Sequence, residues 1–343
     1  MNKQGKNGIP YCDFTWNPVV GCYHGCSYCF ARKIAERFGT KPCENGNCAV
    51  CGDCNLEPSF DCERYIPTER THHLEWAVRS FAKRTKDGGG IKEPFPYGFE
   101  PTFHEGRLAE PFKIKKPSRI FVSDMGDLFG DWVPKEWIEA VLKTVQECPQ
   151  HTFLFLTKNP KRYREFKFPE NAWLGTSVEN QAAADERIPQ LLQASAAVKF
   201  ISAEPLLGEI NIQQSNERET ILFPLVGQFI TEGMNEPRSL KYGGIDWVIV
   251  GGESGPGARP MHPDWIRSLR DQCQAAGTKF FFKSWGDWLP NAQEYDCDPG
   301  GVDYEQRHQL VGNVAMCRVG KNKSGRLIDS RTWDERPEIG GQI

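Results

Sequence analysis

Three cysteines stand close together near the start of the chain, in the stretch GCYHGCSYCF (21–30). A closed structural zinc site takes four protein ligands, and catalytic zinc sites are usually built from His and carboxylate. A four-iron cluster is typically held by Cys thiolates, so three thiolates leave one iron open to a small molecule that binds through an amine and a carboxylate. The sequence therefore predicts a [4Fe–4S] cluster on Cys22, Cys26 and Cys29.

The cysteine loop lies between two predicted elements, a strand at 13–20 and a helical pattern at 30–39. If that strand is the first of a barrel, the loop is at its carboxyl end, where an active site is expected. The alternative is a zinc knuckle that takes His24 or a cysteine from 43–54 as its fourth ligand. The residues alone leave both metals open.

A second group of cysteines follows in the stretch CENGNCAVCGDC. The chain has 13 cysteines, nine of them in the first 62 residues, and it shows no export signal, so clustered thiols more often hold metal than form disulfides. A bound metal would also stabilise a segment this poor in core residues. We therefore predict a second metal site, either zinc or a second iron–sulfur cluster, on Cys43, Cys48, Cys51 and Cys54.

The composition is that of an ordinary globular protein, with 39% hydrophobic and 25% charged residues in a chain of 343. The net charge of −3 gives no global electrostatic case for nucleic acid as a partner. No apolar run is long enough to span a membrane, and the first residues lack the apolar centre of a secretory signal. We therefore expect a cytoplasmic protein without a membrane partner.

Short apolar runs alternate with helical patterns along the chain, which predicts an α/β fold with a parallel sheet covered on both faces. Roughly six to eight such units predict a full or partial TIM-type (βα) barrel, with an open doubly wound sheet as the alternative. The predicted barrel covers 1–290, with a Cys-rich insertion at 40–97 and another insertion at 211–243, and a C-terminal extension covers 291–343. The predicted strands are 13–20, 119–124, 152–158, 172–178, 198–204, 245–252 and 279–285.

Polar side chains follow these predicted strands, at the positions where a barrel presents its chemistry. Lys158 and Lys283 need partners there, because a lysine in or at the end of an apolar strand is costly when it stays unpaired. Helix N-caps and first-turn acids explain Ser177, Glu179 and Ser254 about as well as a catalytic role does. The catalytic candidates are Asp124, Lys158, Glu204 and Lys283.

The spacing C-x3-C-x2-C, with the aromatic Tyr28 before the last cysteine, resembles the signature of the radical S-adenosylmethionine (SAM) enzymes. Over a wider range the chain resembles the phage-protein family Gp thirty-seven/sixty-eight, a radical SAM-like group of unknown function that is distantly similar to spore photoproduct lyase. The stretches that carry this resemblance include FTWNPVVGC, KPSRIFVSDMGDLF, HTFLFLTKNPKR, WLGTSVENQAAADERIPQLL, FISAEPLLGEI and IDWVIVGGESGPGARPMHPDWIRSLRDQC.

The resemblance implies a barrel of the radical SAM type, in which a reduced [4Fe–4S] cluster passes one electron to SAM and a 5′-deoxyadenosyl radical forms. It also implies an electron donor of the flavodoxin or ferredoxin type. In such enzymes a Gly-Gly-Glu stretch after a strand commonly holds the SAM amino group; GGES (251–254) matches that type, and SAEPL (202–206) is a rival. The cofactor-binding candidates are Tyr28, Ser123, Ser177, Glu179, Gly251, Gly252, Glu253 and Ser254.

The substrate stays open at this point. The similarity to spore photoproduct lyase indicates nucleic acid, and the run KNPKRYREF (158–166) supplies basic residues with an aromatic among them, whereas the net charge leaves a small molecule or a protein equally open. The alternative function is a metal-stabilised module without catalysis that binds nucleic acid or protein; such a module would have no use for an open iron. A zinc hydrolase is disfavoured because no H-E-x-x-H motif occurs, and the adjacent His72 and His73 cannot face one metal from a regular helix.

Overall fold

The structure of the protein is a computed structural model. It divides into two compact units, an N-terminal unit of residues 1–3 and 12–151 and a C-terminal unit of residues 4–11 and 152–343. The structure describes residues 1–5, 8–38, 47–48, 52–53, 95, 98–213, 215–217, 220–231, 234–290 and 308–338.

The N-terminal unit is a small mixture of strands and helices. Its described elements are the strands β1 (Asn2–Lys3), β2 (Phe14–Trp16), β3 (Val19–Val20), β4 (Asn47–Cys48), β5 (Gly52–Asp53), β6 (Thr102–Phe103) and β7 (Arg119–Val122), the helices α1 (Phe30–Phe38) and α2 (Lys135–Gln146), and 3-10 turns at Glu105–Arg107 and Pro111–Lys113.

Two parallel strands, β2 and β7, place the loops that follow them at the same edge of the N-terminal unit. β1 pairs antiparallel with β2, and β3 pairs antiparallel with β6. The predicted strand at 13–20 is divided into β2 and β3, because Pro18 between them has no N–H to donate to a ladder. Helix α2 begins after Pro134 and buries an apolar face that includes Trp137, Ile138 and Val141.

The C-terminal unit contains the larger sheet. Its described elements are the strands β8 (Thr152–Thr157), β9 (Ala172–Ser177), β10 (Val198–Ala203), β11 (Ser215–Glu217), β12 (Thr220–Phe223), β13 (Gln228–Thr231), β14 (Arg238–Ser239), β15 (Trp247–Gly251), β16 (Lys279–Ser284), β17 (Trp288–Pro290), β18 (His308–Val311), β19 (Val314–Arg318), β20 (Leu327–Ile328) and β21 (Arg331–Thr332), the helices α3 (Gln181–Leu192), α4 (Pro263–Ala276) and α5 (Lys321–Ser324), and a 3-10 turn at Pro160–Glu165.

Five strands of the C-terminal unit pair in parallel, in the order β8-β9-β10-β15-β16. Their apolar runs are buried along nearly their whole length, as expected for parallel strands covered on both faces. The predicted α/β class is therefore confirmed. The strand orders are open in the described part of each unit, so a complete TIM-type barrel is not shown.

Trp247 is the centre of the aromatic packing on this parallel sheet. It is fully buried, and its ring meets those of Tyr11, Trp173 and Phe281 edge to face, with centroids 5.8, 6.1 and 6.0 Å away. Edge-to-face pairs of this kind contribute about 0.5–1.5 kcal/mol each beyond their buried area. The cluster fixes β9, β15 and β16 against one another, and with them the loops at their carboxyl ends.

The residues after 308 cover the edge of β16. The N–H of Phe282 donates to the carbonyl of Trp333 at 2.9 Å, and Phe281 forms an antiparallel bridge with Asp334. The indole Nε1 of Trp285 donates to the carbonyl of Leu327 at 2.8 Å. These contacts satisfy the edge of a strand that would otherwise expose unpaired N–H and C=O groups.

Helix ends in the C-terminal unit follow the expected local chemistry. The side chain of Asn180 caps α3 by accepting from the N–H of Ala183 at 3.0 Å, and α3 continues through Pro189 as one helix. Helix α4 ends at Gly277, whose left-handed φ of 72° is typical of a glycine that ends a helix. None of the helices in the described ranges is both long and apolar enough to cross a membrane.

Candidate metal and cofactor sites

The cysteine loop of the N-terminal unit is fixed at its start by backbone contacts. The N–H of Gly21 donates to the carbonyl of Met125 at 2.9 Å, and the N–H of Cys22 donates to the carbonyl of Phe99 at 3.2 Å. Gly21 has a φ of 85°, and a Cβ there would lie 2.3 Å from the carbonyl oxygen of Glu100. Only glycine fits this approach, so the loop begins at a defined point beside the residues that follow β7.

The three predicted cluster ligands are free thiols of intermediate exposure. The sulfur of Cys22 accepts from the N–H of His24 at 3.4 Å, and that of Cys29 accepts from the N–H of Arg32 at 3.3 Å. Burial above all, with the charges of Asp127, Cys26 and Cys29, raises the pKa of Cys22 to about 12. Cys26 and Cys29 therefore both lie near enough to Cys22 to affect its thiol.

The three thiols are a candidate donor set for a four-iron cluster. Across the described ranges, no three or more His, Cys, Asp or Glu side chains are arranged to hold one metal ion. A four-iron cluster distributes its cysteine ligands over separate irons, so its thiolates need not surround one point. Cys22 and Cys29 also pack against an apolar cluster that includes Val20, Ala31 and Phe99, which provides the dry surroundings that tune such clusters.

Two side chains of the same loop are held by carboxylates. The Nε2 of His24 lies 2.7 Å from Oδ2 of Asp127, and the hydroxyl of Tyr23 donates to Glu100. Both rings also meet Trp132 edge to face, with centroids 4.8 and 5.3 Å away. Burial and the carboxylate of Glu100 raise the pKa of Tyr23, so this phenol stays protonated. His24 thus contacts a carboxylate through one of its two ring nitrogens.

The residues after β7 contain a backbone conformation that is uncommon outside glycine. Ser123 has a φ of 56°, is buried, and its Oγ has no hydrogen-bond partner among the described residues. Beside it, Oδ1 of Asp124 accepts from Nδ2 of Asn17 at 2.6 Å, and Oδ1 of Asn17 accepts from the N–H of Met125 at 3.0 Å. Burial raises the pKa of Asp124. Backbone conformations of this kind concentrate at functional sites.

In the C-terminal unit, two of the predicted catalytic residues come together. Nζ of Lys283 lies 2.9 Å from Oε1 of Glu204, whose Oε2 accepts from the hydroxyls of Tyr11 at 3.1 Å and Ser202 at 3.0 Å. A Cβ on Gly251 would lie 2.8 Å from Oε1 of Glu204. Gly251 at the end of β15 therefore gives this carboxylate room between β10 and β16.

Sequence reasoning missed two members of this cluster, Tyr11 and Lys321. Burial and the charge of Lys283 lower the pKa of Lys321, so the two ammonium groups lie close enough to interact. Neither residue follows a predicted strand. Tyr11 precedes the first predicted strand and Lys321 comes from the C-terminal extension, so no periodicity in the sequence indicates the hydrogen bond of Tyr11 to Glu204 or the proximity of Lys321 to it.

Lys158 has the partner that its position requires. Its Nζ pairs with Oε1 of Glu179, and Nη1 of Arg187 lies 3.0 Å from Oε2 of the same carboxylate. Nη1 of Arg187 also donates to the carbonyl of Ser177 at 2.8 Å. All three charged side chains are largely buried. Glu179 is therefore a shared acceptor for two cations, so the three charges compensate one another whether or not a ligand binds there.

The two rival SAM motifs are neighbours in the C-terminal unit. The N–H of Leu206 in SAEPL donates to the carbonyl of Gly251 in GGES at 3.0 Å. A Cβ on Gly252 would lie 2.0 Å from the carbonyl oxygen of Trp285, so close packing explains this glycine without a ligand. Oε2 of Glu253 accepts from Nε of Arg259 at 2.7 Å, and Glu253 is buried. The motifs thus present one shared region rather than two.

The other predicted positions differ in what the structure describes. Tyr28 is half-buried in the cysteine loop, and Ser254 is exposed after β15. In the second cysteine group, the backbone of Cys48 belongs to β4, and its side chain lies outside what the structure describes. The other three members also lie outside the described residues, and they are Cys43, Cys51 and Cys54.

The basic run after β8 is not a uniformly exposed stripe. Arg162 is only 8% exposed and its Nε lies 3.5 Å from Oε2 of Glu165. Arg164 is exposed, and its Nη1 donates to Oε1 of Gln193 at 2.7 Å. Lys158 is engaged with Glu179. Three of the basic side chains that the sequence offered to a phosphate backbone are therefore directed to protein acceptors.

Comparison with known proteins gives one family and two solved structures. The model of a family described as "Protein of unknown function (DUF5131)" matches residues 6–337. No curated protein matches the chain in sequence. The phage-protein family named above is not confirmed by these matches.

Both solved structures are variants of spore photoproduct lyase, and each is similar over 91% of this chain and 70% of its own. One carries a cysteine-to-serine change, with 9% identity and a TM-score of 0.37. The other is described with bound AdoMet and a dinucleoside spore photoproduct, with 8% identity and a TM-score of 0.36. Both TM-scores are too low to establish a shared fold.

Proposed function

From the premise that the chain belongs to the DUF5131 family, whose description assigns no activity, we propose that it is a radical SAM iron–sulfur enzyme. The cysteine loop is the observation that carries this proposal. Cys22, Cys26 and Cys29 are three interacting, half-buried thiols at the C-x3-C-x2-C spacing, in a loop that leads directly into α1. Three thiolates hold a four-iron cluster with one iron left for SAM.

The residues of this chain would have the following roles. The cysteines would hold the cluster, and Arg32 supports the loop because its Nη2 donates to the carbonyl of Cys22 at 3.1 Å. A cluster held there would supply one electron to SAM, which would be cleaved to methionine and a 5′-deoxyadenosyl radical. GGES and SAEPL are our candidates for SAM recognition. Glu204 and Lys283 offer a carboxylate and an ammonium group to whichever polar ligand enters their region.

A zinc-stabilised binding module is the competing function. Its fourth ligand would be His24 or a cysteine from 43–54. Nε2 of His24 lies 2.7 Å from Oδ2 of Asp127, so zinc could bind only through Nδ1 of this ring, with the carboxylate orienting it. The other source of a fourth ligand is 43–54, whose side chains the structure does not describe. The radical SAM assignment uses the trio as it stands and is therefore the one we favour.

The partners belong to the proposal as well. We propose SAM as the cosubstrate and a flavodoxin- or ferredoxin-type protein as the electron donor. A nucleic-acid substrate and membership of the phage-protein family are narrower proposals, and the engaged Arg162 and Arg164 weaken the first of them. Binding that falls steeply with salt would support a nucleic acid, because each phosphate contact releases counterions.

The test is the formation of 5′-deoxyadenosine. The full chain is reconstituted with iron and sulfide under anaerobic conditions, reduced with dithionite, and given SAM. We expect 5′-deoxyadenosine and methionine in equal amounts in the presence of the wild-type chain and none above background with Cys26→Ala. Stable SAM in a sample with a full iron and sulfide content would contradict the proposed function.

A further inference from the structure

Helix α1 has an unusual distribution of apolar side chains: its small ones are buried and its large ones are exposed. It buries two alanines, Ala31 and Ala35, against the apolar cluster of the N-terminal unit. Its three large apolar side chains point to solvent, with Phe30, Ile34 and Phe38 exposed to 54%, 37% and 59%. A solitary exposed apolar residue needs no explanation, whereas a contiguous set on one helix face indicates a contact surface.

Two basic residues belong to the same face. Residues three and four apart on a helix are neighbours, so Lys33 and Arg37 lie alongside the three apolar side chains. Both are exposed, and the guanidinium carbon of Arg37 lies 5.0 Å from the ring centroid of Phe38. We call the set Phe30, Lys33, Ile34, Arg37 and Phe38 the α1 face. It combines an apolar centre with positive charge, the composition expected for a contact with an acidic protein.

The α1 face begins at a proposed cluster ligand. Phe30 follows Cys29 directly, and the N–H of Lys33 donates to the carbonyl of Cys29 at 3.4 Å. Tyr23, on the same loop, is a third exposed aromatic side chain, at 43%. A partner that docks here therefore comes to the protein surface adjacent to the thiols, which is where a protein that delivers electrons must come.

We propose that the α1 face is the docking surface for an acidic one-electron carrier protein. This inference depends on the proposed function, because only a cluster on Cys22, Cys26 and Cys29 needs an electron. No atom is transferred in this step: the carrier is oxidised by one electron and the cluster is reduced by one electron. Contacts of this kind are small and transient, and charge complementarity sets their rate and specificity more than buried area does.

The test uses ferredoxin as the probe and two double variants with equal changes in charge. Lys33→Glu/Arg37→Glu reverses the charge of the α1 face. Lys115→Glu/Lys116→Glu reverses two exposed lysines that precede β7, at the opposite end of the parallel strands from the cysteine loop. Binding of ferredoxin to the full chain is followed by titration at low and moderate salt.

We expect the first variant to weaken ferredoxin binding about tenfold or more and the second to change it less than about twofold. The wild-type affinity should fall with salt, because exposed charges are screened. Equal binding by both variants would overturn the inference. So would a dimer in solution that Ile34→Ser/Phe38→Ser converts to monomer, because it would assign the face to a second copy.

Iron content and dithionite reduction separate this inference from the proposed function. Both variants should hold as much iron as the wild type, and dithionite should give the same electron paramagnetic resonance (EPR) signal in all three. If no preparation takes up a cluster, the proposed function fails, and the docking inference fails with it. If clusters form and dithionite reduces them while ferredoxin ignores the α1 face, only the docking inference fails.

Discussion

The cysteine loop of the N-terminal unit and the strand ends of the C-terminal unit differ in whether their reactive groups already have partners. Cys22, Cys26 and Cys29 are thiols that interact with one another, and burial disfavours the thiolate form of Cys22. In the C-terminal unit the predicted site carboxylates are each paired with a cation, as Glu204 is with Lys283.

This difference separates two kinds of evidence for function. An ion pair is satisfied without a ligand, so its presence at a strand end does not by itself indicate a ligand. Adjacent half-buried thiols gain little from one another, whereas a metal binds their deprotonated form. The cysteine loop therefore supports a cofactor more strongly than the charged strand ends support a catalytic role.

The largest effect is expected from the cysteines. Any of Cys22→Ala, Cys26→Ala or Cys29→Ala should reduce the iron content after anaerobic reconstitution to background, because two thiolates do not hold a four-iron cluster. Cys148→Ala is the matched control in the same unit, since Cys148 is fully buried but lies far along the chain. It should lower the melting temperature and leave the iron content unchanged. Equal loss of iron in all four variants would contradict the assignment of the three loop cysteines as the cluster ligands.

The next effect concerns stability of the C-terminal unit. Glu179→Ala leaves Lys158 and Arg187 buried without their shared acceptor, which should cost about 3–5 kcal/mol in the free energy of unfolding. The control is Glu139→Ala, which removes the exposed partner of Lys135 and should cost about 0.5 kcal/mol. Denaturant titration of both variants measures the difference. Similar losses of stability in the two variants would show that the ion pairs of Glu179 are solvated, and that its carboxylate is available to bind a ligand.

A smaller effect should separate packing from SAM recognition in GGES. Gly252→Ala places a Cβ against the backbone of Trp285 and should lose about 1–3 kcal/mol of stability. Gly208→Ala meets nothing nearer than 4.0 Å and should change stability by less than about 1 kcal/mol. If Gly252→Ala unfolds like the wild type but binds SAM less tightly, the glycine serves the cofactor and not the packing.

The smallest effect concerns the pH dependence of Asp124. Because burial raises its pKa, the folded chain holds this proton more tightly than the unfolded chain does. Its contribution to stability is therefore greatest in acid and falls as pH rises through the unfolded and then the folded pKa. Asp124→Asn keeps an oxygen for Asn17 and should remove this decline, giving a small gain in melting temperature at neutral pH. A variant that is less stable than the wild type at neutral pH but equal to it in acid would contradict the predicted direction of the pH dependence.

The sequence predicted the parallel strands well, because each buried strand carries its own apolar run between helical patterns. It placed β8, β9 and β10 within a residue or two of their bounds. It predicted one strand at 13–20, whereas the structure has two, β2 and β3, because Pro18 lies between them.

The site could be predicted only where its residues are close in sequence. The spacing of the cysteines is visible in a string of letters, whereas the contact of Glu204 with Tyr11 joins residues 193 positions apart. The sequence also did not indicate which side of α1 is exposed. Phe30, Ile34 and Phe38 have the helical spacing of apolar residues that are normally buried. Which face packs was decided by Ala31 and Ala35, whose small size allows the close approach.

The most direct measurement of the central claim is the EPR spectrum of the dithionite-reduced, reconstituted chain before and after addition of SAM. The proposed function requires one iron without a protein ligand, so SAM should change the spectrum of the wild-type cluster. S-adenosylhomocysteine serves as the matched control for simple occupancy, because it lacks the sulfonium that is cleaved. A cluster whose spectrum is unaltered by saturating SAM would have no open iron, and it would contradict the assignment of Cys22, Cys26 and Cys29 to a radical SAM site.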